Sequence, residues 1–422
     1  MNPTRLFNPA IVPALILCCA SAAPAQDADP APGAPSDPER RVLIDRDLNA
    51  REITLLSITH EAIVYEDDQG RTRQASIGGL VALLPLEQPW GATPENERRQ
   101  STDANATEPG VLELADGQRL PGEFAATGGD EDSIVWTHPV FGRVVINLDR
   151  VARAVLRQQQ QTDPPIPERA PAAGDKDELT LANGDHITGF VVSMGDPIEI
   201  EVDGDLVTIA AQRVASVRLA NPPKPMQGLV VWLDDGSVVV VAAIDGRDGE
   251  TVELALPTGQ TGVFPVDSLD AVAFRAGRLQ GLAAIEPEHQ QPVGDRRISD
   301  PARILSDPVY QSSSQLRAAD IEIPGPMRIE WTLPAGARRF ATIAEMPFDA
   351  IPWGDCILSV RVDSVEQVRQ RISADNPRLE INIPIDTDAH TLTIIVEPGL
   401  WGPINDRITL RRPLLLLDND PS

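Results

Sequence analysis

The chain has 422 residues, 42% of them apolar but only 4% aromatic, so it is long enough for several cores, and these must be built from Val, Ile, Leu and Ala. Its formal net charge of −27 has the wrong sign for a nucleic-acid binder, which must displace counterions from phosphates, and it disfavours anionic membrane surfaces for the same reason. Neutral glycans, cations and basic surfaces are the partners such a charge allows.

Residues 1–25 read as a secretory leader. Residues 1–5 carry one positive charge, residues 6–20 are mostly apolar, and Ser21-Ala-Ala-Pro-Ala25 ends in an Ala-x-Ala cleavage pattern. Pro9, Pro13 and the short apolar length argue against a membrane-spanning helix, and no later stretch is long and apolar enough to span. An exported protein, periplasmic, cell-surface or extracellular, is expected. Cys18 and Cys19 fall in the leader. Cys356 is then left alone, so no intramolecular disulfide is expected in the processed chain. Its setting, Cys-Ile-Leu-Ser-Val, is that of a small core residue.

Residues 26–40, rich in Ala, Pro and Asp, read as a flexible tether. The next 240 or so residues repeat one design. Its clearest copy is Val111-Leu-Glu-Leu-Ala-Asp-Gly-Gln-Arg-Leu-Pro-Gly122, in which Leu112 and Leu114 alternate with Glu113 as in a half-buried strand. Asp116-Gly117 follows as a tight hairpin turn whose two residues both tolerate positive φ. Glu178-Leu-Thr-Leu-Ala-Asn-Gly184 and Val230-Val-Trp-Leu-Asp-Asp-Gly236 return to the pattern. An apolar closing segment begins 30 to 34 residues after each turn glycine, at Val151, Val214 and Leu269. Gly122 and Gly189 lie five residues past their turn glycines, where a glycine marks a bulge or a close backbone approach.

The resulting division is a degenerate repeat at 41–87, with Asn49-Ala50 in place of Asx-Gly, a linker at 88–109, a second repeat at 110–157 and a second linker at 158–176. A third repeat at 177–221, a fourth at 226–276 and a polar connector at 277–299 follow. Units of this size are near the lower limit for an independent core, so they are either small barrels or units sharing sheets. The Leu-x-Leu-x-Asp/Asn-Gly…Gly pattern is similar to the opening of Sm-like small barrels, but the charge sign does not support carrying RNA binding over with it.

Residues 300–418 have longer alternating strands: Met327-Arg-Ile-Glu-Trp-Thr-Leu333, Ile357-Leu-Ser-Val-Arg-Val362, Leu379-Glu-Ile-Asn-Ile383 and Leu392-Thr-Ile-Ile-Val396. Separated by Gly- and Pro-bearing turns, they predict a sandwich. Residues 365–372 are read as a strand. Leu305-Ser-Asp307, Ile329-Glu-Trp-Thr-Leu-Pro…Arg339-Phe340, Ile357-Leu-Ser-Val-Arg-Val-Asp363 and Asp406-Arg-Ile-Thr-Leu-Arg-Arg-Pro-Leu414 resemble segments of the NPCBM-type carbohydrate-binding module. Leu410 stands where that family usually has tryptophan, and its Gly-x-Gly-Val-His segment is absent before Ile329. The resemblance implies a jelly-roll sandwich and, less directly, sugar binding. The expected fold class is all-β throughout: tandem small repeats followed by a jelly-roll-like sandwich.

Catalytic signatures are absent. There is no Gly-x-Ser-x-Gly elbow and no phosphate loop. The five histidines are scattered, and no Cys or His pair has zinc-ligand spacing. No cofactor is expected. Acidic clusters at Asp130-Glu-Asp132, Asp203-Gly-Asp205, Asp245-Gly-Arg-Asp248 and Asp386-Thr-Asp388 have oxygens suited to calcium, but hairpin turns need the same residues for geometry. Tryptophan offers a flat apolar face to the C–H face of a sugar, while Asp and Arg take its hydroxyls. Trp353-Gly-Asp355, Trp401-Gly-Pro403 and Asp406 are therefore the candidate ligand-binding residues, against the alternative that both tryptophans plug the core. Trp136, Trp232 and Trp331 read as core.

The sequence predicts a non-enzymatic envelope or surface interaction protein that contacts polysaccharide through its last domain. The alternative partners are other envelope proteins, held apart by a spacer with no glycan ligand. A secreted hydrolase is the third reading.

Overall fold

A computed structural model of the chain describes residues 40–86, 110–125, 132–156, 176–246, 249–294, 300–305, 316, 318–400, 402 and 405–418. All belong to one unit, Pro38–Ser422. Among these residues the only helical segments are three-residue 3₁₀ turns, and the protein is all-β.

The same strand order occurs four times. In the second repeat, strand Gly110–Leu114 pairs antiparallel with Arg119–Phe124, which pairs with Ser133–His138, which pairs with Gly142–Asn147. A 3₁₀ turn, Leu148–Arg150, then redirects the chain into Val151–Val155, which returns to pair with the first strand. The other repeats place Ile77–Gly79, Ala211–Arg213 and Val266–Ser268 at the same point. Their closing strands, Leu80–Pro85, Val214–Arg218 and Leu269–Ala273, likewise return to the first strand of the same repeat. Each repeat is thus a short sheet curled until its last strand meets its first.

The hairpin after the first strand differs from the expected two-residue turn. Leu114 N–H donates to Gln118 O and Gly117 N–H to Leu114 O, which encloses three residues. Gly117 alone takes positive φ, at 86°, while Asp116 stays in an ordinary conformation and its Oδ1 accepts Gln118 N–H at 3.1 Å. This is a turn followed by a glycine bulge. Gly184 and Gly236 repeat it.

In the first repeat the corresponding residues are Asp47-Leu48, not Asn49-Ala50. One backbone hydrogen bond fixes the register. Ala115, Ala182 and Asp234 donate to the last residue of the following 3₁₀ turn, and Arg46 does the same to Gly79 O. Two residues on, Leu48 therefore stands where the others have glycine, at φ 54°. Its side chain is buried.

The strand glycines behave as expected. A Cβ on Gly122 would lie 2.3 Å from Thr137 O, and one on Gly189 would lie 2.2 Å from Glu201 O. Each second strand crosses the third too closely for a side chain.

The repeats share one sheet. Closing strand Val151–Val155 pairs with closing strand Val214–Arg218, Ala154 opposite Val217. Leu80–Pro85 pairs with Leu269–Ala273, Leu83 opposite Val272. In both cases the fourth residue of one closing strand faces the fourth of the other, so repeats two and three form one pair and repeats one and four another, in the same local two-fold register. One apolar core runs through all four, from Leu43 and Ile58 to Leu112, Val217 and Val272. Trp136 is fully buried in it. Arg41 of the first repeat is buried as well and donates through Nη2 to Val266 O of the fourth at 2.9 Å.

The last third is a two-layer sandwich. One layer contains Ile321–Pro324, Arg407–Leu417, Ala337–Glu345 and Arg378–Pro384 in that order. The other contains Met327–Thr332, Thr391–Pro398, Asp355–Val362 and the edge strand Val365–Ser373. Ile329, Trp331, Phe340, Leu358, Ile394 and Leu410 fill the space between them. Leu410 is fully buried. The stretch read as a connector, 277–299, contributes two strands: Leu279–Gly281 joins the first layer and His289–Pro292 the second. Its polar texture hid them, because both are edge strands of three and four residues.

A third apolar cluster joins the sandwich to the first and fourth repeats. It contains Leu48, Val81 and Leu84, Val230 and Trp232, and Leu414 and Leu416 of the sandwich. Beside it, Asn382 Nδ2 donates to Asp47 O at 3.0 Å.

Candidate functional site

The end of the sandwich that holds the predicted site is organised by Asp355. This residue begins the strand Asp355–Val362 and is 2% exposed. Its Oδ1 accepts Arg371 Nε at 2.5 Å and its Oδ2 accepts Arg371 Nη2 at 3.0 Å, a bidentate pair across to the edge strand. Oδ2 also accepts the backbone N–H of Leu400 at 2.7 Å, and the Asp355 carbonyl accepts that of Gly399 at 2.7 Å. Only glycine fits at 399, because a Cβ there would lie 2.4 Å from the Asp355 carboxyl carbon. Asp406 is buried beside this group, and its Oδ1 takes the Asp355 N–H at 3.4 Å. Both aspartates therefore hold loops in place and offer no exposed oxygen to a ligand.

Those loops carry the exposed apolar side chains. Residues 347–354 form a compact turn in which Ala350 and Ile351 donate to Pro347 O and Trp353 and Gly354 donate to Ala350 O. Gly354 packs against Met346, leaving no room for a Cβ. The turn lifts Phe348 and Trp353, each 70% exposed, and the neighbouring loop lifts Leu400, 76% exposed. Arg407 ties the same end together, ion-paired to Asp349 and lying 3.7 Å from Glu322. Trp401 lies outside the described residues.

Phe348, Leu400, Arg371 and Arg407 carry no signal in the sequence. Arg371 sits in a polar stretch, and only the pairing of Asp355 with Ser373 brings it to Asp355. Its hydrogen bond to Asp355 raises its pKa further, so it is a permanent cation; its side chain is 46% exposed, with donors beyond the two that Asp355 takes.

The remaining sequence candidates are built into the fold. Cys356 is buried in the core, and burial, with Asp406 and Asp355 nearby, pushes its thiol up to about 12. Trp136, Trp232 and Trp331 are buried. The Asp203-Gly204 turn has both residues at positive φ and joins Ile198–Val202 to Asp205–Ile209. Asp130 and Glu131 lie outside the described residues, as do residues 247–248. Among the described residues no group of three or more His, Cys, Asp or Glu side chains is placed to hold a metal, and no helix is long and apolar enough to cross a membrane. The histidines lie apart, His60, His138 and His186 in different repeats and His289 and His390 in the sandwich.

No family model matches the chain, and no curated protein matches it. Solved structures do. A CBM51 module of Clostridium perfringens, determined in complex with methyl-galactose, is 12% identical with a TM-score of 0.27, the match covering 32% of this chain and 99% of that one. Tandem CBM51 modules of a family 98 glycoside hydrolase from Streptococcus pneumoniae are 11% identical with a TM-score of 0.27, covering 57% of this chain and 88% of that one. An exo-β-1,3-galactanase from Phanerochaete chrysosporium matches at 8% identity and a TM-score of 0.20, covering 83% of this chain and 88% of that one.

Proposed function

We propose that this protein is an exported, non-enzymatic interaction protein that binds carbohydrate through the end of its sandwich. The observation that carries this reading is that three large apolar side chains, Phe348, Trp353 and Leu400, stand exposed on two loops that Asp355 fastens together. Exposing three large apolar side chains on a poorly aromatic protein has a solvation cost, which a ligand with an apolar face offsets. Arg371 and Arg407 at the rim supply charged donors for hydroxyls. The NPCBM-like segments 329–340, 357–363 and 406–414 lie in this same sandwich. Asp355 and Asp406 act as positioning residues, and Trp401, two residues past Gly399 in the sequence, is kept as a proposed ligand-binding residue.

The test is affinity electrophoresis of the full chain through gels containing defined neutral polysaccharides. Wild type is expected to be retarded by at least one polymer. Trp353→Ala and Phe348→Ala are each expected to weaken that retardation by about tenfold in affinity, the scale of one lost aromatic stacking contact. Retardation unchanged in both variants would remove this surface from the reading. The spacer reading draws on the apolar cluster that joins the sandwich to repeats one and four. It gains ground if no polymer retards the wild type. Release of sugar from any polymer by the purified protein would support the hydrolase instead.

A further inference from the structure

The third repeat carries a surface that the other three do not. In every repeat the fourth strand is a sheet edge, paired among the described residues with the third strand alone. An unpaired edge invites another chain to add a strand, and proteins ordinarily blunt it. The first repeat does so with polar Thr72–Ser76, whose Arg73 is held by Asp67 at 3.2 Å. The second is met by the fourth at its start: Phe141 packs on Phe264 with ring centroids 5.3 Å apart, and Gln260 Nε2 donates to Arg143 O at 3.2 Å. The fourth repeat's edge strand ends at Pro265.

The third repeat's edge, Asp205–Ile209, has none of these protections. It reads Asp-Leu-Val-Thr-Ile, and its first four residues are exposed. Leu206 is 57% exposed and lies in one cross-strand row with Glu201 and Phe190, the latter 53% exposed. Val192, on the strand of Phe190, is exposed too, and Val207, paired with buried Ile200, is exposed on the other face of the edge strand. The strands that build this surface carry charge of one sign. From Asp185 to Ile209 the chain has six acidic residues and neither Lys nor Arg. Two of them, Glu199 and Glu201, are on the middle strand, and Asp203 and Asp205 flank the turn.

We propose that this edge is a docking site for an extended segment of another protein in which lysine or arginine alternates with aliphatic residues, added as a further strand alongside Asp205–Ile209. Main-chain hydrogen bonds would hold it; its cations, on the face of Leu206, Glu199 and Glu201, would meet those carboxylates with their stems over Leu206, and its aliphatic residues, on the other face, would cover Val207. A second copy of this chain is a poor occupant, because it would bring the same six acids face to face.

The test uses the full chain and three synthetic peptides of about ten residues: alternating lysine–valine, lysine–serine of the same charge, and glutamate–valine. The lysine–valine peptide is expected to bind at least about tenfold more tightly than either control. It is also expected to slow amide hydrogen exchange within 205–209 and to leave the first repeat's edge, 72–76, unchanged. The double variant F190K/L206K alters two exposed side chains, so it should melt at the wild-type temperature and lose the tight binding. Equal binding of the lysine–serine peptide would show mere charge attraction and overturn the proposal. So would binding unchanged by the double variant, protection appearing elsewhere, or a concentration-dependent dimer that F190K/L206K abolishes, which would make the occupant a second copy.

Discussion

Leu48 occupies left-handed backbone at φ 54°, where the other repeats place glycine. The strain, about 1–2 kcal/mol, is tolerated because the side chain is buried in the joint between repeats and sandwich. Leu48→Gly is therefore expected to destabilise the protein by about 1–3 kcal/mol in denaturant titration, the lost burial exceeding the relieved strain. A variant more stable than wild type would show that the joint does not need this side chain. The same residue explains why the first repeat is hard to read: its turn lacks the glycine that marks the others.

His138 makes a second residue-level case. It is buried between repeats two and four, with Nδ1 accepting the N–H groups of Val140 and Phe141 at 3.1 and 3.2 Å, and Nε2 3.0 Å from Ser237 Oγ. Nδ1 can accept only when unprotonated, so the folded state favours the neutral ring. Burial lowers the imidazole below its usual 6.5, while the Asp235 carboxylate, 3.8 Å from Nε2, pulls the other way. The unfolded chain therefore takes up the proton first. The stabilisation is complete above about 6.5 and is lost as the pH falls through the lower folded value. Between about pH 7.5 and pH 5, the melting temperature of wild type is expected to fall more steeply than that of His138→Gln. Parallel curves would mean that His138 does not titrate across the transition.

At the scale of the element, the five-strand unit depends on its close crossings. Gly189 has ordinary backbone angles, so Gly189→Ala tests space alone, with a Cβ 2.2 Å from Glu201 O. The expected cost is about 2 kcal/mol or more, seen as a lower denaturation midpoint. Gly184→Ala instead tests conformation, since open space surrounds it at φ 88°; its expected cost is about 1–2 kcal/mol. A smaller loss for Gly189→Ala than for Gly184→Ala would show that the second strand can move away from the third. These glycines are legible in the sequence because alternation on either side already places them inside strands or at turns. The edge strands Leu279–Gly281 and His289–Pro292 are not, since three or four residues are too few to show a period. Trp353 was recognisable as a loop residue from its proline and glycine neighbours, but the work of Asp355 was not. Adjacency to a tryptophan suggests a ligand-binding acid. Arg371 and Leu400, 16 and 45 residues later, occupy its oxygens.

For the whole molecule, the continuous core through all four repeats predicts that they unfold together. Val272→Asp puts a charge into the pairing of repeats one and four, opposite Leu83, and should lower the repeat region's calorimetric midpoint as a single transition. Four separate transitions would contradict the shared core. Alternation, Asx-Gly turns and recurrent spacing were enough to specify an all-β chain of small strand repeats and a terminal sandwich, because those signals are local and a strand records on its own residues which face is buried. Which repeat pairs with which, which sheet edge stays open and which acids are already engaged were decided only in the tertiary structure. Those outcomes depend on contacts between residues tens to hundreds of positions apart, and no local pattern encodes the partner of a closing strand or of a buried carboxylate.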